Sequence, residues 1–107
     1  MKKLTIYHNP RCSKSRKALE TLTEKGNKVE IVEYLKTPLT KKELKNLLMK
    51  LNMKPLEVIR TNEEIFKKKF ANKKFNDDEW IQILIENPIL LQRPIVASDY
   101  KAEIMRD

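Results

Sequence analysis

A single cysteine, Cys12, is the only thiol in this chain of 107 residues. One thiol cannot close an internal disulfide, so nothing in the composition points to an oxidising compartment. It also excludes an internal dithiol cycle, because the place a C-x-x-C motif reserves for its second thiol is held by Ser15. Redox work at Cys12 would therefore need a resolving thiol from another molecule. Histidine is equally scarce. His8 and Cys12 together fall short of a zinc ligand set, so no metal site is expected. No apolar run approaches the ~20 residues of a membrane span. The opening MKKLTIYHNP has lysines but only a short apolar stretch, broken by His8, Asn9 and Pro10, and does not read as a signal peptide. The expected location is the cytoplasm, with no membrane partner.

The net charge is +8, which raises the question of an anionic partner. Arginine is sparse among the basic residues: Arg11, Arg16, Arg60, Arg93 and Arg106 are all there are, and the rest are lysines spread along the chain. The densest patch, KKKFANKKF at 67–75, interleaves lysine with phenylalanine. Dispersed lysine serves solubility, so the patch reads as a solvated helix end and loop, and no nucleic-acid partner is expected.

The pattern along the chain is α/β. KLTIYH (3–8) is a short strand closed by Pro10. A helix follows from Ser13, with Ala18, Leu19 and Leu22 at helical spacing and Gly26 as its stop. KVEIVEY (28–34) is a second strand, completing a β-α-β unit with a parallel pair. Thr40 to Glu43 is a capping box ahead of Leu44, Leu47, Leu48 and Leu51, one apolar helix face. Shorter helices are expected over 55–59 and 62–69. Asn76 to Glu79 is a second capping box, opening a helix through Trp80, Ile83 and Leu84 that Asn87-Pro88 ends. Arg93-Pro94-Ile95-Val96 turns into a strand, and Lys101–Arg106 is its expected hairpin partner. The whole is one domain over 1–107, with a helical insertion at about 40–87.

Cys12 stands between the first strand and the first helix. A thiol at a helix N-terminus meets unpaired backbone N–H groups and the positive end of the dipole, which favour thiolate. Arg11, Lys14, Arg16 and His8 can add positive charge. Ser15 and Arg16 lie three and four residues on, on the cysteine's side of the first turn, and the Ser15 hydroxyl can donate to the sulfur. The same N–H groups suit a tetrahedral oxyanion. This is a design for an activated nucleophile that receives an anion. The alternative is an inert, buried cysteine packed as a small hydrophobe. His8 likewise has two readings, a group that tunes the thiol or a polar end to the strand.

Tyr7-His8-Asn9-Pro10-x-Cys12-x-x-Ser15-Arg16, then Arg60 in VIRTNEE, then Asn87-Pro88-Ile89-Leu90 running into Arg93-Pro94-Ile95-Val96, resemble the glutaredoxin-coupled arsenate reductases, the arsenate reductase C family. The resemblance implies a thioredoxin-like fold with a helical insertion and a cis peptide before Pro94. It implies that Cys12 attacks arsenate and that glutathione reduces the adduct as a co-substrate. Glutaredoxin then resolves the mixed disulfide. No bound cofactor is implied. Arg60, Arg93 and Arg106 match the arginines that hold the oxyanion, and His8, Ser15 and Arg16 match positions around the thiol. Arginine suits that task, since its fixed fork fits an oxyanion where lysine offers a point charge. Relatives continue with a C-terminal helix, whereas this sequence stops at Asp107, so that helix is expected to be absent.

Two other functions fit the fold. One is a thioredoxin-like transcriptional regulator that binds RNA polymerase, although Ser15 removes the C-x-x-C switch of the best-known members. The other is a binding module with a vestigial site.

Overall fold

A computed structural model describes residues 3–105. Its strands are β1 (Lys3–Tyr7), β2 (Lys28–Val32), β3 (Ile95–Ala97) and β4 (Ala102–Ile104). Its helices are α1 (Ser13–Glu24), α2 (Lys41–Leu51), α3 (Glu64–Lys69) and α4 (Asp77–Glu86), with 3₁₀ turns at Pro55–Val58 and Pro88–Leu90. The chain divides into two compact units. One holds the residues up to Pro38 and from Arg93 onward, and the other runs from Leu39 to Gln92.

The first unit is a four-stranded sheet in the order β2-β1-β3-β4. β1 and β2 are parallel, with Ile6 opposite Ile31, and α1 is their crossover. β3 runs antiparallel to β1, with Ile6 opposite Val96 and Tyr7 opposite Ile95. β4 completes an antiparallel pair with β3. Alternation along the strands and helical spacing along α1 bring Ile6, Val96, Ala18 and Leu22 into one cluster, with Leu4, Leu19, Val29 and Met105 packed at its margin. Burying a side chain such as Ile6 contributes about 1.5–3 kcal/mol.

α1 stops where the sequence places its glycine. Gly26 has φ 83°, its N–H donates to the Thr23 carbonyl, and the Asn27 N–H donates to the Leu22 carbonyl. This is the Schellman pattern, which needs a left-handed residue. β1 ends at Tyr7, one residue early, although the His8 N–H still donates to the Val32 carbonyl at 2.8 Å. β2 ends at Val32, and the chain turns before Pro38: the N–H groups of Lys36 and Thr37 both donate to the Glu33 carbonyl. The Arg93–Pro94 peptide is cis.

The second unit is helical. Both capping boxes form: Thr40 with Glu43 opens α2, and Asn76 with Glu79 opens α4. α2 buries Leu44, Leu47, Leu48 and Leu51, while α4 buries Trp80, Ile81, Ile83 and Leu84. The helix expected at 55–59 is a single 3₁₀ turn, and α3 starts at Glu64 rather than 62. Asn87-Pro88 ends α4 but leads at once into another 3₁₀ turn. Phe70 and Phe75 of the lysine-rich patch pack against each other, Phe70 also meets Phe66 just before the patch, and Phe66 and Phe75 pack onto Trp80. Their rings serve packing within this unit, while the intervening lysines stay exposed.

Candidate active site

Cys12 occupies the N-cap position of α1 in an extended conformation, φ −93° and ψ 120°. It is half-buried and forms no ordinary cap hydrogen bond, in which a side-chain oxygen would take up first-turn N–H groups. The first turn also holds no acidic residue. Burial pushes the thiol up. The Ser15 N–H, the Arg93 guanidinium and the Lys14 N–H outweigh it, and the thiol lies below its ordinary value.

Arg93 reaches this sulfur because of the sheet. β3 is antiparallel to β1, with Tyr7 opposite Ile95, so the residues just after β1 and just before β3 share one end of the sheet. Part of the Arg93 guanidinium serves the sulfur. Its Nε and Nη1 are buried and have no hydrogen-bond partner among the described residues.

Beneath the thiol lies a buried polar cluster. The buried stripe of α1 is Ser15, Ala18 and Leu22, so the helix carries the Ser15 hydroxyl inward, where it must find partners. It finds His8 Nδ1 at 2.7 Å and accepts from the Asn9 N–H at 3.1 Å. His8, Asn9 and Ser15 are the buried polar residues of the described chain. The Ser15 hydroxyl thus bonds His8 and Asn9, and it is the serine's backbone N–H that stabilises the thiolate. Burial holds His8 below the ordinary histidine value; Glu33 pulls it up, and Arg16 pushes it down. Burial thus disfavours the charged imidazole, and the polar contact His8 makes is with the Ser15 hydroxyl.

The other expected site residues are placed differently. Arg16 is exposed, and its Nη1 donates to the Pro10 carbonyl at 2.8 Å, which braces the loop before Cys12. Arg60 belongs to the helical unit, where its Nη1 pairs with Glu63 Oε1. Arg106 lies outside the described residues. Pro94 is fully buried, and its carbonyl accepts the Met105 N–H. Asn9 was not among the expected site residues, although an Asn-Pro dipeptide is a turn signal. No group of His, Cys, Asp and Glu suited to a metal occurs among the described residues. None of the described helices is long and apolar enough to cross a membrane.

A β-α-β unit followed by an antiparallel pair, with a cis-proline just before β3 and a cysteine at the start of the first helix, is a thioredoxin-like α/β fold. The chain belongs to the ArsC family, whose model matches residues 7–107. It is 42% identical over 107 residues to the uncharacterized protein YfgD of Escherichia coli K12, covering 98% of this chain and 90% of that one. It is 38% identical over 108 residues to a Neisseria meningitidis protein named arsenate reductase, covering 99% and 92%. The solved arsenate reductase of Vibrio cholerae superposes with a TM-score of 0.91 at 33% identity, covering 96% of this chain and 89% of that one.

Proposed function

We propose that this protein is an arsenate reductase, or a close relative acting on a similar oxyanion, that works through Cys12 alone with glutathione and glutaredoxin. The observation that carries this reading is Arg93. Two buried guanidinium nitrogens, Nε and Nη1, left unpartnered beside a thiol held toward its anion, are a costly arrangement. An unmet buried donor costs about 1–3 kcal/mol, and more when charged. An oxyanion accepting from both nitrogens while the sulfur attacks its centre would satisfy it. Family membership and the arsenate reductases among the relatives support the choice of arsenate.

In this reading the Cys12 thiolate forms a bond to arsenic and an arsenate oxygen leaves as water. The glutathione thiol then bonds to the Cys12 sulfur. The sulfur–arsenic bond breaks, two electrons pass to arsenic, and arsenite departs. A glutaredoxin thiol attacks the resulting mixed disulfide and returns Cys12 as thiolate. Glutathione is a co-substrate rather than a bound group, and the cytoplasm is the compartment that supplies it. Arg93 holds the oxyanion and the thiolate together. Arg60 and Arg106 are read as further oxyanion ligands on the family resemblance alone. Arg60 would have to exchange Glu63 for the substrate. Pro94 has a structural part, and His8, Ser15 and Arg16 support the thiol and its loop.

The test is arsenate-dependent oxidation of glutathione by the purified protein with glutaredoxin present. Turnover that requires arsenate, the protein and Cys12 is expected. A protein that is folded yet gives no arsenate-dependent turnover would overturn the proposal.

A further inference from the structure

We infer that Asn9 is a positioning residue, which fixes Cys12 at the start of α1 by closing the Asn9–Cys12 turn on three sides. The Cys12 N–H donates to the Asn9 carbonyl at 3.0 Å, closing a four-residue turn with Pro10 in its second place. Asparagine at the first place and proline at the second are what such turns favour. Asn9 Oδ1 accepts the Arg11 N–H at 3.0 Å, adding an Asx turn inside the first. The Asn9 N–H in turn donates to Ser15 Oγ, which bonds His8 Nδ1. Asn9 is itself buried, 8% exposed, so these bonds have little competition from water.

The consequence concerns the sulfur. Cys12 gains its acidity from the Ser15 and Lys14 N–H groups and from Arg93, all of which act over short distances. Ser15 and Lys14 stand in the helix and Arg93 at the mouth of β3, so the position of Cys12 depends on the loop that delivers it. Proline presets only its own φ. The remaining freedom at Arg11 is removed by the Asn9 side chain. Without it the sulfur samples positions where the N–H groups and the guanidinium no longer converge.

This inference rests on the reading of Cys12 as the nucleophile, but its test needs no arsenate. The rate of alkylation by iodoacetamide is measured against pH for the parent, Asn9→Ala and Asn9→Ser, with circular dichroism as the folding control. Asn9→Ala should remain folded, alkylate on the order of tenfold more slowly at neutral pH, and show its midpoint displaced toward that of free cysteine. Asn9→Ser keeps an acceptor for the Arg11 N–H and should recover most of the parent profile. A folded Asn9→Ala protein with the parent's profile overturns the inference, and so does an Asn9→Ser protein no better than Asn9→Ala. Should Asn9→Ala not fold, Asn9→Ser decides alone: a profile matching the parent supports the inference, and a tenfold loss overturns it. A parent without arsenate turnover whose alkylation still depends on Asn9 would remove the proposed function and leave this inference standing.

Discussion

Three helices of this protein begin in two different ways. α2 and α4, in the helical unit, each start from a complete capping box with acidic residues in the first turn: Glu43 in one, and Asp77, Asp78 and Glu79 in the other. Their orphan N–H groups are met by side chains at the surface, and the dipole is matched by carboxylates. α1, in the sheet unit, starts from Cys12 with no side-chain cap and no acidic residue, and instead carries Lys14 and Arg16. Charges of that sign at an N-terminus cost a few tenths of a kcal/mol or more. The helix that gives up this local stabilisation is the one whose N–H groups lower the pKa of a thiol. The two arginines contrast in the same way. Arg60 is paired with Glu63, while Arg93 leaves two buried nitrogens unpartnered. In the helical unit Arg60 is satisfied by a neighbour along the chain; at the candidate site Arg93 keeps two buried donors free for an acceptor.

Cys12→Ser breaks this comparison most severely, since it gives α1 the kind of cap the other helices have. Turnover is expected to vanish, because an alcohol is a far weaker nucleophile than a thiolate. Stability should hold or rise, because serine is a favoured N-cap. The sign against pH follows from the lowered thiol. Cys12 stabilises the fold fully above the unfolded thiol pKa and loses that contribution as pH falls through its folded value. The parent should therefore lose stability relative to Cys12→Ser on acidification, read by urea unfolding at several pH values.

Arg93→Lys keeps the charge but removes the fork. A loss of about 100-fold in kcat/KM is expected. Arg60→Lys, whose guanidinium already has a partner, should lose less. Equal losses in the steady-state assay would erase the contrast between the two arginines.

Thr40→Ala removes one half of a capping box. About 1 kcal/mol of stability should be lost, with the alkylation rate of Cys12 unchanged. A slower thiol in that variant would show that the two helix starts are not independent.

Lys14→Glu is the mildest change. It supplies α1 with the acidic first turn it lacks, adding a few tenths of a kcal/mol in urea unfolding, while alkylation of Cys12 slows several-fold through the nearby negative charge. A faster thiol there would mean that first-turn charge does not govern the sulfur.

Much of this was legible in order and spacing. The β-α-β start, both capping boxes, the Gly26 stop and the final strand pair are local patterns, and the structure contains them all. Element ends were less legible. The turn after Val32 and the 3₁₀ form of Pro55–Val58 depend on backbone bonds that composition does not announce. At the site, Cys12 was visible because a lone thiol ahead of a helix is a local feature. His8 was visible as a residue, but the lowering of its pKa was not, since that comes from burial.

By itself, then, the sequence determined the single thiol, its place at a helix start, the absence of a second thiol in that turn and the scarcity of arginine. Only the tertiary structure decided which arginine meets the sulfur, where the Ser15 hydroxyl points and that Asn9 anchors the loop. Antiparallel pairing of β1 with β3 brings residues from distant parts of the chain to one end of the sheet. Burial then fixes which of their polar atoms find partners and which do not. Neither is a property of neighbours along the chain, because hydrogen-bond satisfaction and desolvation are set by what the fold packs around each group.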